Sequence, residues 1–210
     1  SVLKSSFKNF KIILIDNEYQ DDFSDEIDKN HKIHIIKNKN NEGFARANNQ
    51  GIKYSIKNGF DYVLLLNNDT LIKNDLLELL IKHSNTLHQK IIQPLILNYD
   101  GTKIWNAGGT INNFFGTFKT YKKGESFKNF KSNRHSTNWF TGCCVFIKSE
   151  IFNEVGYFDE RFFAYYEDVD FSIRLKSNGY QIALMNESFL QHFESASSKS
   201  IYQNEGNLSP

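Results

Sequence analysis

Three short clusters of acidic and amide residues carry the side chains in this sequence that are best suited to chemistry. They are Asp16–Asn17, Asn67–Asn68–Asp69 and Glu167–Asp168. Such groups bind hard cations, accept hydrogen bonds from sugars and bases, and remove protons as general bases. Each cluster alone also fits an ordinary role, because Asp and Asn are common in turns and acids favour helix starts. Their joint occurrence favours a shared functional site.

Alternating strands and helices must position these clusters. Runs of β-branched and other apolar residues predict strands over 10–15, 32–36, 62–66, 91–97, 143–148 and 181–185. Helical spacing predicts helices over 44–58, 75–84, 149–155 and 168–177, the third capped by Ser149. This order predicts an α/β fold with a mostly parallel central sheet flanked by helices. Ligands of such sheets bind beyond the carboxyl ends of the strands, so we expect the clusters to meet there.

Composition narrows the class of protein. The 210 residues, 40% hydrophobic and 23% charged, predict one domain over 1–210 and exclude a disordered tail or a collagen-like rod. A net charge of +1 gives no whole-chain attraction to nucleic acid or to an anionic membrane. The adjacent Cys143 and Cys144 match neither a disulfide framework nor a zinc pattern. We therefore expect a soluble domain from a reducing compartment.

Several stretches, in order along nearly the whole chain, resemble a family 2 glycosyltransferase of the GT-A fold. They are IILIDN, NEGFARANNQGI, YVLLLNNDT, WNAGG, FTGCCVFIKSEIFNEVGYFDERFFAYYEDVDFSIRLKSNGY and QHFESAS. The likeness is strongest to the rhamnosyltransferase-like branch of bacterial surface-polysaccharide synthesis. It implies transfer of a sugar from a nucleoside diphosphate donor with inversion. It also implies a first strand that is lacking here, since SVLKSS is typical of the end of the following helix; we expect a fragment cut at both ends.

The resemblance assigns the donor to the first half of the chain, 1–100. Asp16 would accept a hydrogen bond from a pyrimidine base N–H. Gly43 permits close backbone approach at a helix N-terminus, which suits a phosphate or a sugar. The donor-binding residues expected on this basis are Asp16, Asn17, Gly43, Arg46, Asn49, Asn67 and Asn68.

A divalent cation, Mg²⁺ or Mn²⁺, is the cofactor that the resemblance implies. It would offset the negative charge of the diphosphate leaving group. Asp69 lies in the metal-binding acidic motif, and His192 matches a histidine that supplies a ligand in some relatives. The usual first acid of this motif is replaced by Asn67, which offers only an amide oxygen. We therefore expect a lower affinity for the metal.

Attack on the anomeric carbon requires a base that removes the acceptor proton. In the family pattern Asp168 is this base, and the dipole of its helix is expected to favour the ionised form. Glu167 is expected to orient the acceptor or the donor. The second half, 101–210, would bind the acceptor, with the irregular stretch 108–137 as an acceptor-binding or lid segment. Acceptor contacts are expected from Trp105, Gly108, Gly109, Trp139 and Gly142.

The partners implied are a UDP- or dTDP-linked sugar and a saccharide or lipid-linked acceptor. We expect a cytoplasmic protein, at the inner face of the membrane when the acceptor is lipid-linked, with no nucleic-acid partner. Two other functions stay open. A nucleotidyltransferase would need a Gly-rich phosphate loop with a Lys near the first strand, and none is visible. A non-catalytic nucleotide- or carbohydrate-binding module is favoured if the altered acidic motif binds no metal.

Overall fold

The structure, a computed structural model, describes residues 1–18, 27, 29–112, 117–131 and 135–193. The described strands are β1 (Ile12–Asn17), β2 (Ile33–Asn38), β3 (Tyr62–Leu66), β4 (Thr70–Ile72), β5 (Ile91–Asn98), β6 (Ile104–Asn106), β7 (Gly109–Asn112), β8 (Thr117–Thr120), β9 (Ser136–Thr137), β10 (Cys144–Lys148) and β11 (Ile182–His192). The described helices are α1 (Gly43–Lys57), α2 (Leu76–Leu87), α3 (Glu150–Val155) and α4 (Glu167–Ser177). None of these helices has the length and apolar character needed to cross a membrane.

The central sheet is mixed rather than mostly parallel. Five strands lie side by side in the order β3, β10, β5, β11 and β4, while β6 pairs with β5 and β9 with β11. β10 is antiparallel to both of its neighbours, and β11 is parallel to β5 but antiparallel to β4. The predicted α/β class is confirmed, and the predicted parallel arrangement is wrong. An unbroken apolar run indicates burial on both faces of a sheet but does not fix the direction of a neighbouring strand.

Alternating side chains of β10 supply the apolar cores on both faces of this sheet. Val145 and Ile147 pack in a core that includes the fully buried Phe171 of α4. Cys144 and Phe146 point the other way, into a core that α2 completes. Successive residues of a strand face opposite sides, so one strand can anchor two layers of helices. The loops at the end of the sheet are therefore held by a rigid support.

The first two strands form a separate sheet. β1 and β2 pair in parallel, from Ile12 opposite Ile33 to Asn17 opposite Asn38. α1 covers β1 at Gly51, where an added Cβ would touch Ile15 at 3.6 Å. The lack of a first strand, expected from the resemblance, stays a prediction.

Residues 108–137 contain more regular structure than their sequence indicates. β7 and β8 form an antiparallel hairpin, from Gly109 opposite Thr120 to Asn112 opposite Thr117. Most residues of the two strands are at least partly exposed. Because neither strand buries a full face, no apolar alternation marks them in the sequence.

Two boundaries differ from the predictions in ways that affect the site. β11 continues past the predicted end at Met185, through an irregularity before Phe189, and ends at His192. This extension pairs His192 with Thr70, next to the second polar cluster. Ser149 does precede α3, but its side chain does not cap the helix. The Ser149 hydroxyl donates instead to the Phe60 carbonyl at 2.5 Å.

Candidate active site

One cavity of about 2010 Å³, termed the central cavity below, is lined by all three polar clusters. The expected meeting of Asp16–Asn17, Asn67–Asn68–Asp69 and Glu167–Asp168 is therefore confirmed. The cavity also extends between β1 and β3, where apolar side chains of both strands line it. The other predicted site residues that line the central cavity are Gly43, Trp105, Trp139, Gly142 and His192.

The structure does not bring Arg46 or Asn49 to the central cavity. The Arg46 guanidinium pairs with Glu42 at 2.8 Å and lies 3.6 Å from Glu160. The buried Asn49 amide donates to the Phe158 carbonyl at 2.9 Å and to Glu160 at 3.0 Å, and it accepts from the Phe158 N–H. Both residues therefore connect α1 to the segment that leads into α4.

Gly108 and Gly109 also lie outside the cavity lining, and both serve close packing. A Cβ at Gly108, whose φ is +76°, would meet the Thr137 hydroxyl at 2.5 Å. A Cβ at Gly109 would collide with the Lys119 carbonyl and the Trp139 ring. The Thr137 hydroxyl accepts from the Gly109 N–H at 2.6 Å. These two glycines therefore help to position Trp139, which does line the cavity.

Gly43 connects the two halves of the chain. Its φ is +78°, and a Cβ there would come within 2.5 Å of the Phe163 carbonyl oxygen. The next residue, Phe44, donates its N–H to that oxygen at 2.6 Å. The close backbone approach that the sequence indicates at Gly43 is thus used for the loop before α4, at the edge of the cavity.

Asp168 is held in one position by backbone donors. One carboxylate oxygen accepts the Gly142 N–H at 2.9 Å, and the other accepts the Val169 N–H at 2.8 Å. Gly142 must lack a side chain, since a Cβ would lie 2.9 Å from the Phe44 ring. Burial raises the pKa of Asp168 above its usual value, although these backbone hydrogen bonds oppose the rise. The expected effect of the helix dipole on the ionised form stays a prediction.

Glu167 is 4% exposed, and among the described residues its Oε2 has no hydrogen-bond partner. Burial raises the pKa of Glu167 to about 7, with a smaller contribution from the negative charge of Asp168. A carboxyl with this pKa is partly protonated near neutral pH. It can then donate a hydrogen bond as well as accept one.

Asp69 and His192 lie side by side in another part of the cavity. Asp69 Oδ1 lies 3.2 Å from His192 Nε2, and both side chains are largely buried. Trp105 contacts the imidazole edge-on, with ring centroids 4.3 Å apart. Carboxylate oxygen is a ligand for both Mg²⁺ and Mn²⁺, and imidazole nitrogen is a ligand for transition metals, so the pair fits part of a Mn²⁺ site better than a Mg²⁺ site. The described residues place no third His, Cys, Asp or Glu with them, so the remaining ligands would be oxygens of the donor, the Asn67 amide or water.

Asn17 organises the loop at the end of β1. Its amide donates to Asn41 at 2.9 Å and accepts from the Glu42 N–H at 2.9 Å and from Asn38 at 3.1 Å. Asn38 also exchanges hydrogen bonds with Gln50 of α1. This network fixes the wall of the cavity next to Asp16, which is itself buried and lines the cavity.

An aromatic wall, formed by Phe118, Trp139 and Tyr166, lines the central cavity next to Glu167. Phe118 of β8 contacts Trp139 at 4.9 Å and Tyr166 at 5.8 Å between ring centroids. Tyr165 and Tyr166 both have φ near +70°, a conformation that is costly for non-glycine residues and that is found mainly at functional sites. Rings of this kind can stack on the apolar faces of sugars.

Phe118 and Lys123 are among the cavity residues that sequence reasoning missed. Both lie in the stretch without periodicity, so no signal in one sequence marks them. Cys143 and Cys144 are buried and unpaired. Burial raises the pKa of both thiols far above the usual value, so neither is a nucleophile at neutral pH.

Known proteins are similar to this chain over much of its length. The model of the family "Glycosyl transferase family 2" matches residues 1–156. The chain is 34% identical over 155 residues to the low-salt glycan biosynthesis hexosyltransferase Agl10 of Haloferax volcanii, covering 71% of this chain and 48% of that protein. It is 25% identical to the dTDP-rhamnosyl transferase RfbF of Shigella flexneri, covering 88% of this chain and 60% of that protein. The chain thus spans about half the length of these relatives.

Solved glycosyltransferase structures share the fold. The crystal structure of GalNAc-T7 with UDP, GalNAc and Mn²⁺ superposes with a TM-score of 0.66 at 18% identity. The superposition covers 89% of this chain and 38% of that one. At this identity the likeness establishes the GT-A-type fold alone.

Proposed function

The chain belongs to glycosyl transferase family 2, and on that premise we propose that it is an inverting glycosyltransferase. It would move a sugar from a UDP- or dTDP-linked donor to a saccharide or lipid-linked acceptor in bacterial polysaccharide synthesis. One observation carries the proposal: a desolvated carboxylate pair, Glu167–Asp168, and a third carboxylate, Asp69, line the same cavity. The Glu167–Asp168 pair suits removal of a proton. Asp69 suits a divalent cation that would bind the diphosphate.

The acceptor hydroxyl must lose its proton as its oxygen attacks the anomeric carbon. Asp168 is the proposed base, since its two backbone hydrogen bonds fix the carboxylate and its raised pKa makes it a stronger base than an exposed Asp. The proton passes to an Asp168 oxygen, the new bond forms at the anomeric carbon, and the diphosphate leaves from the opposite face. Inversion follows from this single in-line displacement.

Glu167 is proposed to orient a sugar hydroxyl. Its pKa of about 7 lets it hold a proton when the acceptor binds, and its unpartnered Oε2 can bond to the ligand. The aromatic wall of Phe118, Trp139 and Tyr166 lies close by and supports an acceptor saccharide in this part of the cavity.

The donor is proposed to lie along the first half of the chain. Asp16 would accept from the base N–H, with the Asn17 network fixing that wall of the cavity. Asp69 and His192, with Asn67, would hold Mg²⁺ or Mn²⁺. A bound divalent cation offsets the negative charge that builds up on the leaving diphosphate. We further propose a cytoplasmic location, at the inner membrane face when the acceptor is lipid-linked.

Thermal denaturation with a panel of ligands tests this proposal. We expect UDP or dTDP, or a sugar linked to one of them, to raise Tm by several degrees at saturation, since a ligand of the folded state stabilises it. GDP and ADP serve as controls and should shift Tm less. Transfer of the sugar to a saccharide acceptor completes the test.

Three results would overturn the proposal. Failure of every nucleoside diphosphate to shift Tm, with and without Mn²⁺, contradicts a donor site. Binding without any sugar transfer favours a non-catalytic module. Release of pyrophosphate from a nucleoside triphosphate and a sugar phosphate favours a nucleotidyltransferase.

A further inference from the structure

The loop of residues 156–166 leads from α3 to the Glu167–Asp168 pair and contains no helix or strand. Its last two residues, Tyr165 and Tyr166, have positive φ angles, which cost free energy in residues other than glycine. A loop of this kind keeps one shape only when neighbouring elements hold it. Two helices, α4 and α1, contact it through hydrogen bonds.

Arg174 fixes the first part of the loop to α4. Its guanidinium donates to the Val155 carbonyl at 3.0 Å and to the Tyr157 carbonyl at 2.8 Å, and it donates to Asp170 within α4 at 2.9 Å. Because α4 itself begins at Glu167, these bonds join the loop and the carboxylate pair in one unit. They do not connect this unit to α1.

Asn49 makes the connection to α1. Its side chain is part of a residue that is only 1% exposed, and its amide donates to the Phe158 carbonyl at 2.9 Å and to Glu160 at 3.0 Å. Its oxygen accepts the Phe158 N–H at 3.0 Å. The loop thus uses both amide hydrogens, so Asn49 has no N–H left to offer a ligand.

The start of α1 borders the carboxylate pair. The Phe44 N–H donates to the Phe163 carbonyl of the loop at 2.6 Å. A Cβ at Gly142 would lie 2.9 Å from the Phe44 ring and 3.8 Å from Glu167 Oε1, so the ring and this carboxyl group meet at one point. Asp168 accepts the N–H of the same Gly142. A shift between α1 and the loop would therefore change the surroundings of both acids.

We infer that Asn49 is a positioning residue, which sets the place of the Glu167–Asp168 pair relative to the cavity wall that Asn17 organises. α1 begins at that wall, where Asn17 accepts the Glu42 N–H. This inference rests on the proposed function and replaces the donor contact that the resemblance assigns to Asn49. Small displacements of reacting groups lower a rate by large factors, even when the responsible residue lies far from the chemistry.

Kinetics of sugar transfer on the full chain test this inference, with Leu80→Ala as the matched control. Asn49→Ala removes all three hydrogen bonds to the loop. Leu80 is fully buried in the core beside α2, does not line the central cavity and has no loop residue in its core cluster. Its truncation lowers stability by leaving a cavity. We would measure kcat, the affinity for UDP or dTDP by calorimetry, and Tm for each variant.

We expect Asn49→Ala to lower kcat by about 10- to 100-fold, with donor affinity close to that of wild type. Leu80→Ala should lower Tm and keep the wild-type kcat at temperatures below its Tm. Equal kcat values for these two variants would overturn the inference. A donor affinity that falls as much as kcat in Asn49→Ala would overturn it too, since Asn49 would then be a donor contact.

A charge change at the same contact decides the question if Asn49→Ala does not fold. Asn49→Asp places a carboxylate against Glu160 and removes the donor to the Phe158 carbonyl, so it should also lower kcat. Adding Glu160→Gln replaces the repulsion with an amide donor and should restore part of the rate. No recovery of kcat, whether or not Tm recovers, would overturn the inference. Wild-type protein that transfers no sugar would instead overturn the proposed function on which it rests.

Discussion

Two of the carboxylate sites in the central cavity, Glu167–Asp168 and Asp69, differ in what surrounds the acid. Glu167 and Asp168 begin a helix and are desolvated, and burial raises the pKa of both. Asp69 follows β3 in a turn and faces the imidazole of His192. One site consists of acids among apolar groups and backbone N–H donors. The other pairs an acid with a nitrogen base.

This difference indicates a division of labour within one cavity. A desolvated carboxylate binds a proton more tightly, which suits a general base. A carboxylate next to an imidazole offers oxygen and nitrogen ligands to the same point, which suits a cation. The two acidic sites should therefore respond differently to the loss of one charge.

The largest effect is expected at the proposed base. Asp168→Asn keeps the size of the side chain and removes its capacity to take a proton. Turnover should fall by roughly 10²- to 10⁴-fold, the usual contribution of a general base, with donor affinity nearly unchanged. Initial rates of sugar transfer at saturating donor measure this.

Glu167→Gln is the matched variant for that experiment. It should cost less turnover, because an orienting amide can still form hydrogen bonds with a sugar hydroxyl. If Glu167→Gln is the inactive variant and Asp168→Asn keeps most of its rate, the two roles are reversed. If neither lowers transfer, the pair is only the start of a helix.

The next effect is expected at the second acid. Asp69→Asn removes the one carboxylate of its motif, so the gain in UDP or dTDP affinity on adding Mn²⁺ should disappear. Losing even a supporting partner of a metal ligand costs roughly 10- to 100-fold in affinity, and a ligand should cost at least as much. Calorimetry that finds the same Mn²⁺-dependent affinity in the variant would remove Asp69 from the metal site.

A smaller effect concerns stability and pH. The pKa of Glu167 is about 7 in the folded chain against a usual value of 4.5. Between these values the folded state holds a proton that the unfolded state releases, so this residue lowers stability as pH rises through that window. Glu167→Gln cannot titrate. Its Tm should match that of wild type near pH 4.5 and exceed it by a few degrees at pH 8.

One result of this pH comparison would contradict the raised pKa of Glu167. A Tm difference that is equal at pH 4.5 and pH 8 would mean that Glu167 ionises as an exposed carboxyl does.

The smallest effect is expected outside the cavity. Arg46→Ala should leave nucleotide affinity unchanged within about 0.5 kcal/mol, because its guanidinium pairs with Glu42 and Arg46 does not line the central cavity. Titration with UDP measures this. A tenfold loss of affinity would return Arg46 to the donor site that the resemblance assigns to it.

Part of the site was predictable because its residues lie at the ends of apolar strands. Asp16–Asn17 and Asn67–Asn68–Asp69 lie directly at strand ends, where period and composition are easy to interpret. The direction of β10 was not predictable, because an apolar run does not indicate whether a strand lies parallel or antiparallel to its neighbours. The approach of His192 to Asp69 depends on the continuation of β11 past an irregularity, which no local pattern indicates.

Arg46 and Asn49 were predicted to bind the donor, but neither lines the central cavity. Both belong to a stretch that resembles the family, yet each side chain is taken up by a partner more than a hundred residues away or by a neighbouring acid. A resemblance assigns residues to a region, while the direction of each side chain depends on the tertiary contacts. Lys123 was missed for the converse reason, because only the anchoring of its turn on β6 brings it to the cavity.

The division of labour is tested most directly by measuring two quantities on the same two variants: the rate of sugar transfer and the Mn²⁺-dependent affinity for UDP or dTDP. We expect Asp168→Asn to lose the rate and keep the affinity, whereas Asp69→Asn should lose the Mn²⁺-dependent part of the affinity. Equal losses of both quantities in both variants would contradict it, since the two carboxylates would then act as one site.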